Sequence, residues 1–88
     1  MNKRKRKIKY RSWHRGTREA DLFLGNFIDK YIDILNEPLL KNFEEFIQNY
    51  SDPEIMSFVN GINLWPNDLQ EELRDLFEKF IISEKKNN

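Results

Sequence analysis

The sequence predicts an all-α fold, a small compact bundle of five short helices. Apolar residues recur at helical spacing in four successive segments, signals for helix starts and ends separate these segments, and no segment shows the alternation typical of a strand. The chain has 88 residues. A single domain of that size buries about 60–65% of the surface that its unfolded chain exposes, so we expect a core of modest size.

The first two helices follow a strongly basic N-terminus. We expect an arm at residues 1–9 and a short first turn or helix around Ile8 to Trp13. The second helix should begin near Thr17, whose hydroxyl can cap the first free amides, and stop by Asn36. One apolar stripe forms its inner face: Leu24, Phe27, Ile28, Tyr31, Ile32 and Leu35.

The remaining three helices carry clear boundary signals. The third has the stripe Leu39, Leu40, Phe43, Phe46, Ile47 and Tyr50. Ser51 and Glu54 form a capping box for the fourth, which Gly61 should end in a left-handed conformation. The fifth opens after Pro66 with the stripe Leu69, Leu73, Leu76, Phe77, Phe80 and Ile81. We expect the phenylalanines to pack the core of one domain at residues 10–83, followed by a polar tail at residues 84–88.

Charge is unevenly distributed along the chain, although its formal sum is zero. Residues 1–18 contain nine lysines or arginines and no acid, whereas residues 19–88 contain six basic and all 15 acidic residues, a net charge of −9. A basic N-terminus on an acidic body can contact nucleic acid, an acidic protein surface or anionic lipid. A solvated, partly frayed terminus is the structural alternative.

Several function classes lack the residues that they require. The chain has one histidine, His14, and no cysteine, so we expect no metal site, no disulfide and no catalytic residue. The three glycines do not form a phosphate loop. Apolar runs are too short for a membrane-spanning helix or a secretory signal.

The segment from Tyr10 to Glu19 combines aromatic side chains, four charges and a glycine where a helix start needs only a polar cap. Gly16 either takes a positive φ or lets a partner's backbone come close. Glu19 is either a solvated acid of the first turn or an anchor for a basic group of a partner. The guanidinium groups of Arg15 and Arg18 bind a carboxylate or phosphate of a partner, or pair with the acidic body.

The stretch RSWHRGTREADLFLGNF at residues 11–27 resembles the signature of the SdhE family of succinate dehydrogenase assembly factors. The mark of that family, Arg-Gly-x-x-Glu, falls on Arg15, Gly16 and Glu19. The similarity extends from about Tyr10 to Gly61. By this resemblance the partner-binding residues are Trp13, His14, Arg15, Gly16, Arg18, Glu19 and Asp21.

The resemblance implies a five-helix bundle that acts as an assembly factor and not as an enzyme. It would bind the flavoprotein subunit of succinate dehydrogenase, and in some bacteria that of fumarate reductase, and promote covalent attachment of FAD to that subunit's histidine. FAD would be handled on the partner, with none bound stably by this chain. We expect a monomer in the bacterial cytoplasm, with the mitochondrial matrix as the less favoured place.

Two other functions remain open from the residues themselves. In the first, a nucleic-acid-binding module, the cations of residues 3–11 would contact phosphates while Tyr10 and Trp13 stack on bases. In the second, an acidic inhibitor, the chain would present a set of carboxylates to a basic enzyme: Asp29, Asp33, Glu44 and Glu45.

Overall fold

Five α-helices make up the computed structural model, which describes residues 2–86 and contains no strand within them. Their bounds are α1 Lys3–Trp13, α2 Arg18–Tyr31, α3 Glu37–Asn49, α4 Asp52–Val59 and α5 Glu71–Lys86. The predicted all-α bundle of five helices is confirmed. None of the helices in this part of the chain is both long and apolar enough to cross a membrane.

The core is built around the ring of Phe27 on α2. This ring lies 4.4 Å from that of Phe77 on α5 and 5.7 Å from that of Phe43 on α3, measured between centroids. All three side chains are fully buried. Burying a phenylalanine side chain contributes about 1.5–3 kcal/mol, so the predicted aromatic stripes bind α2, α3 and α5 into one core. Ile55 is the buried contribution of α4 to this core.

Side-chain caps set the starts of α3 and α4. The Asn36 carboxamide accepts a hydrogen bond from the Leu39 amide at 3.0 Å. At α4 the predicted capping box is confirmed: Ser51 Oγ accepts from the Glu54 amide, and the Glu54 carboxylate accepts from the Ser51 amide. Gly61, at φ +73°, follows the end of α4 in the left-handed conformation that the sequence predicts.

Helix α1 begins earlier than predicted, at Lys3 instead of around Ile8. The Asn2 side chain caps it by accepting from the Lys5 amide at 2.8 Å. Ile8 anchors it with a side chain that is 1% exposed. The predicted boundary between an arm and a domain after residue 9 therefore falls inside a helix, as does the boundary after residue 83, because α5 runs to Lys86. Met1, Asn87 and Asn88 of the predicted arm and tail lie outside the described residues.

A buried amide that the sequence analysis did not single out joins α3 to the start of α5. Asn42 is 6% exposed. Its Nδ2 donates to the Asp68 carbonyl at 2.9 Å, and its Oδ1 accepts from the Gln70 amide at 2.8 Å. Because an unpaired polar group in the core costs about 1–3 kcal/mol, these two bonds fix the chain where it enters α5.

We expect the stabilisation from the Glu54 cap to depend on pH. The hydrogen bonds from Ser51 lower the pKa of the Glu54 carboxyl below its ordinary value. A lowered folded-state pKa means that the contribution is complete above the unfolded pKa, about 4.3, and is lost as pH falls through the lowered value. Glu54→Ala should therefore lower Tm at neutral pH and lose that deficit in acid.

Thermal unfolding followed by circular dichroism measures this effect. Glu45→Ala is the matched control, because Glu45 is an exposed glutamate within α3. A deficit of Glu54→Ala that stays constant from neutral pH down to pH values below the lowered pKa would contradict the role given to the ionised cap.

Candidate functional site

The predicted site lies at the connection between α1 and α2, and Trp13 sets the approach of these helices. Its indole covers Gly25 on α2 so closely that a β-carbon there would lie 2.7 Å from Trp13 Cε3, and nearer still to two other ring atoms. The indole Nε1 donates to Asp29 Oδ2 at 3.2 Å. Gly25 is thus the contact point that lets α1 lie against α2.

Arg15 ties the connection to the junction of α3 and α4. Its Nε donates to Asp52 Oδ1 at 2.8 Å, and its two terminal nitrogens donate to the carbonyl oxygens of Tyr50, at 2.9 Å, and Ile47. The side chains of Arg15 and Asp52 are only 15% and 10% exposed. For Arg15, the alternative of pairing with the acidic body is therefore the one observed.

The first turn of α2 also contacts the connection, through the side chain of Asp21. Asp21 Oδ1 accepts from the Arg15 amide at 2.5 Å. Thr17 is the N-cap residue, as predicted, but its hydroxyl makes no capping bond and donates to Asp52 Oδ2 at 3.0 Å. The predicted cap by the Thr17 hydroxyl was wrong because Asp52, from α4, competes for it. Both oxygens of Asp52 thus hold residues of this connection.

Three of the predicted partner-binding residues from Arg15 to Asp21 face solvent: Gly16, Arg18 and Glu19. Gly16 has φ +111°, and a β-carbon placed on it would meet nothing within 4 Å. The positive φ that one alternative expects for Gly16 is therefore present, and the close approach of a partner's backbone stays a prediction. Glu19 borders a shallow groove of about 250 Å³, lined also by Thr17, Asp52, Pro53, Met56 and Asn60.

His14 lies at the other edge of the connection, beside the last turn of α1. Its ring stacks on that of Tyr10, with centroids 4.0 Å apart, and its Nδ1 is 2.7 Å from the Tyr10 carbonyl oxygen. Both rings line an open cleft of about 330 Å³, together with Arg11, Arg15, Ile47 and Gln48. The described residues contain no group of three His, Cys, Asp or Glu side chains suited to a metal ion.

The seven predicted residues thus differ in exposure. Trp13, Arg15 and Asp21 are half-buried and bonded within the chain, whereas His14, Gly16, Arg18 and Glu19 are exposed. The sequence analysis missed two residues that hold this site, Gly25 and Asp52. Gly25 had a usable signal, because a glycine inside a helix costs about 1 kcal/mol relative to alanine and therefore calls for a packing reason. Asp52 had none beyond its place in a first turn.

Comparison with known proteins gives two matches. Residues 6–81 match the family described as "Flavinator of succinate dehydrogenase". The chain is also similar to the FAD assembly factor SdhE of Acetobacter pasteurianus, with 33% identity over 58 residues, which are 66% of this chain and 52% of the relative. The chain thus spans about half the length of that relative. No solved structure matches the chain.

We expect Arg15→Ala to destabilise the fold by about 2–4 kcal/mol, because it leaves the Asp52 carboxylate and two carbonyl oxygens without their shared donor. Arg15→Lys should recover only part of the loss, since an ammonium cannot reach three acceptors with a planar fork. Urea unfolding measures both. Arg74→Ala is the control: Arg74 pairs only with exposed acids and should cost less than about 1 kcal/mol. A similar loss for Arg15→Ala and Arg74→Ala would refute the anchor.

The effect of Gly25→Ala on the free energy of unfolding should change sign between the wild type and a Trp13→Ala variant. In the wild type the new methyl group meets the Trp13 ring, and overpacking of this kind costs about 1–3 kcal/mol. In a Trp13→Ala background the clash is absent, and the higher helix propensity of alanine should stabilise by up to about 1 kcal/mol. Urea unfolding of the four proteins in this double-mutant cycle measures the coupling. An equal loss in both backgrounds would mean that Trp13 does not define this contact.

Proposed function

Because the chain belongs to the family of flavinators of succinate dehydrogenase, we propose that it is an assembly factor that binds the flavoprotein subunit of succinate dehydrogenase and promotes covalent attachment of FAD to that subunit. The observation that carries the proposal is the family match over residues 6–81, which includes the whole α1–α2 connection. The relative's name, FAD assembly factor, supports the same role.

The geometry of the connection suits docking. Arg15, Asp21 and Trp13 fix the backbone from three directions, so little conformational freedom is lost when a partner binds. On this fixed backbone, Gly16 leaves space for a close approach of the partner's main chain. Glu19 offers a carboxylate to a partner's donor, and Arg18 offers a guanidinium to a carboxylate or phosphate.

The proposal leaves FAD on the partner. The clefts beside the connection measure about 330 and 250 Å³, at or below the lower end of the range that encloses a drug-sized ligand. The chain has no glycine-rich phosphate loop either. These features support the proposal that the partner binds FAD, that the bond to flavin forms on the partner's own side chain, and that this chain contributes no catalytic group.

The finer parts of the proposal follow the resemblance. We include the flavoprotein subunit of fumarate reductase as a second partner, a monomeric state, and the bacterial cytoplasm as the place of action. The relative of bacterial origin supports the last point.

The acidic-inhibitor alternative finds little support in the charges. Three of its four carboxylates are engaged within the chain: Asp29 pairs with Lys9, Asp33 with Lys5 and Glu44 with Arg4. An inhibitor that recognises a basic enzyme needs carboxylates available to that enzyme. In this chain, Asp29, Asp33 and Glu44 already pair with cations of α1.

We expect Gly16→Arg to abolish the effect of this chain on flavin attachment while the fold persists. The purified apo subunit, FAD and a dicarboxylate are mixed with the chain, and covalent flavin is read as fluorescence on a denaturing gel. Wild type should speed its appearance. Gly16→Arg should not, because the bulky side chain blocks the partner's approach. Glu19→Ala should fail for loss of the carboxylate, with Glu45→Ala as its control.

Two glycine variants separate the blocked approach from backbone strain. Gly16→Ala carries a similar penalty for the positive φ, about 1–2 kcal/mol, without the bulk, and should retain most of the activity. Gly61→Arg makes the same change at the other glycine with positive φ, which follows the end of α4 and is not part of the α1–α2 connection, and should remain active. Loss of helical circular dichroism in Gly16→Arg alone would favour a structural role. A wild type without effect on the rate would overturn the proposed function.

A further inference from the structure

Helix α1 sorts its cations onto two faces. On the inner face, Arg4 pairs with Glu37 and Glu44. Lys9 pairs with Asp29 of α2, and Lys5 pairs with Asp33, just after the end of α2. The outer face of α1, as we call it, consists of the other cations of the helix together with Tyr10 and with His14, which follows the helix end. All six of these side chains are exposed: Lys3, Arg6, Lys7, Tyr10, Arg11 and His14. Within residues 2–86, none of the four lysines and arginines of this face forms an ion pair with a carboxylate.

The outer face is a narrow strip. At about 100° per residue its six side chains span about 140° of the helix circumference, and Lys3 and Arg11 lie about 12 Å apart along the axis. Four cations in that area attract a negatively charged partner. Residues 19–88 have a net charge of −9, so an anion that extends from the strip over this acidic body is repelled.

We propose that the outer face of α1 docks a short acidic segment of the partner protein. This partner is the one that also contacts Gly16, Arg18 and Glu19. The inference rests on the proposed function. Its basis is charge complementarity and continuity of the surface: the cleft of about 330 Å³ is lined by Tyr10, Arg11 and His14 of the outer face and by Arg15 of the connection. A partner seated on the connection therefore meets the strip without a gap.

Two observations favour an acidic protein segment over a nucleic acid. Single-stranded nucleic acid binds by stacking its bases on free aromatic faces, but Tyr10 and His14 each cover one face of the other's ring and the Trp13 ring covers Gly25, which leaves less aromatic surface for bases. A polyanion longer than the strip also meets the acidic body and is repelled by it. A short run of aspartates or glutamates fits the strip and ends before that body begins.

Exposed charges of this kind act mainly on the rate of association. They steer the encounter and are screened by salt, whereas the dissociation rate depends on the buried contacts of an interface. The outer face would therefore bring the flavoprotein subunit to the connection, and the connection would hold it. The two parts of the surface should be separable by kinetics.

Stopped-flow association of the chain with the apo flavoprotein subunit tests this inference. The variant Lys3→Gln/Lys7→Gln/Arg11→Gln removes three charges from the outer face. The control Lys41→Gln/Lys79→Gln/Lys85→Gln removes three exposed cations from α3 and α5. Circular dichroism verifies that both fold. Salt at about 0.1 M and about 1 M gives Debye lengths of about 10 and 3 Å.

At the lower salt concentration the outer-face variant should associate about tenfold more slowly than wild type, with a nearly unchanged dissociation rate. The control should match wild type, and the difference should disappear at the higher salt concentration. Equal rates for the two variants, while wild type binds, would overturn this inference and leave the proposed function standing. Failure of wild type to bind the subunit would overturn the proposed function and this inference with it.

A single-stranded oligonucleotide and vesicles containing an anionic lipid serve as probes of the competing partners. Neither should bind wild type at the lower salt concentration. If either binds, and the outer-face variant alone loses that binding, the strip recognises phosphate and the acidic segment of a protein is not its occupant.

Discussion

The guanidinium of Arg15 is the interaction on which the arrangement of this small protein depends. It donates to the carbonyl oxygens of Ile47 and Tyr50 at the C-terminal end of α3, and to the Asp52 carboxylate in the first turn of α4. Carbonyl groups at the end of a helix lack partners within it. One side chain from the α1–α2 connection thus supplies donors to carbonyl groups at the end of α3 and to a carboxylate at the start of α4.

The burial of this group explains why the motif divides as it does. A charge moved out of water is stable only when its partners are complete, and here the partners come from Ile47, Tyr50 and Asp52. The guanidinium of Arg15 is therefore engaged within the chain, whereas Gly16 and Glu19 are exposed. Gly16 and Glu19 are displayed by a backbone that Arg15 holds. The Arg-Gly-x-x-Glu motif combines an internal anchor with two exposed residues.

The sequence predicted those features whose physical cause is local. The spacing of Leu24, Phe27 and Ile28 reflects burial along one helix face, and the Ser51–Glu54 cap needs only three residues of chain. The start of α1 depends on both kinds of cause: the Asn2 cap spans only three residues, whereas the burial of Ile8 and the bonds from Arg4 to Glu44, which cross 40 positions, come from the tertiary fold. The hydroxyl of Thr17 was misjudged because its acceptor, Asp52, is 35 positions away.

The charge asymmetry of the chain also acquires a physical meaning once α1 is seen to lie on the acidic body. Its ion pairs are partly exposed, and such pairs contribute at most about 1 kcal/mol each, so the position of α1 depends more on Ile8 and on the contact of Trp13 with Gly25. Apolar contacts hold the helix, and the inner cations neutralise the acids beneath it. The cations of the outer face take part in neither of these interactions. Helix α1 leads directly into the connection that Arg15 holds, so the outer face of α1 keeps a fixed position relative to Gly16. One partner can therefore be attracted by the outer face and bound at the connection.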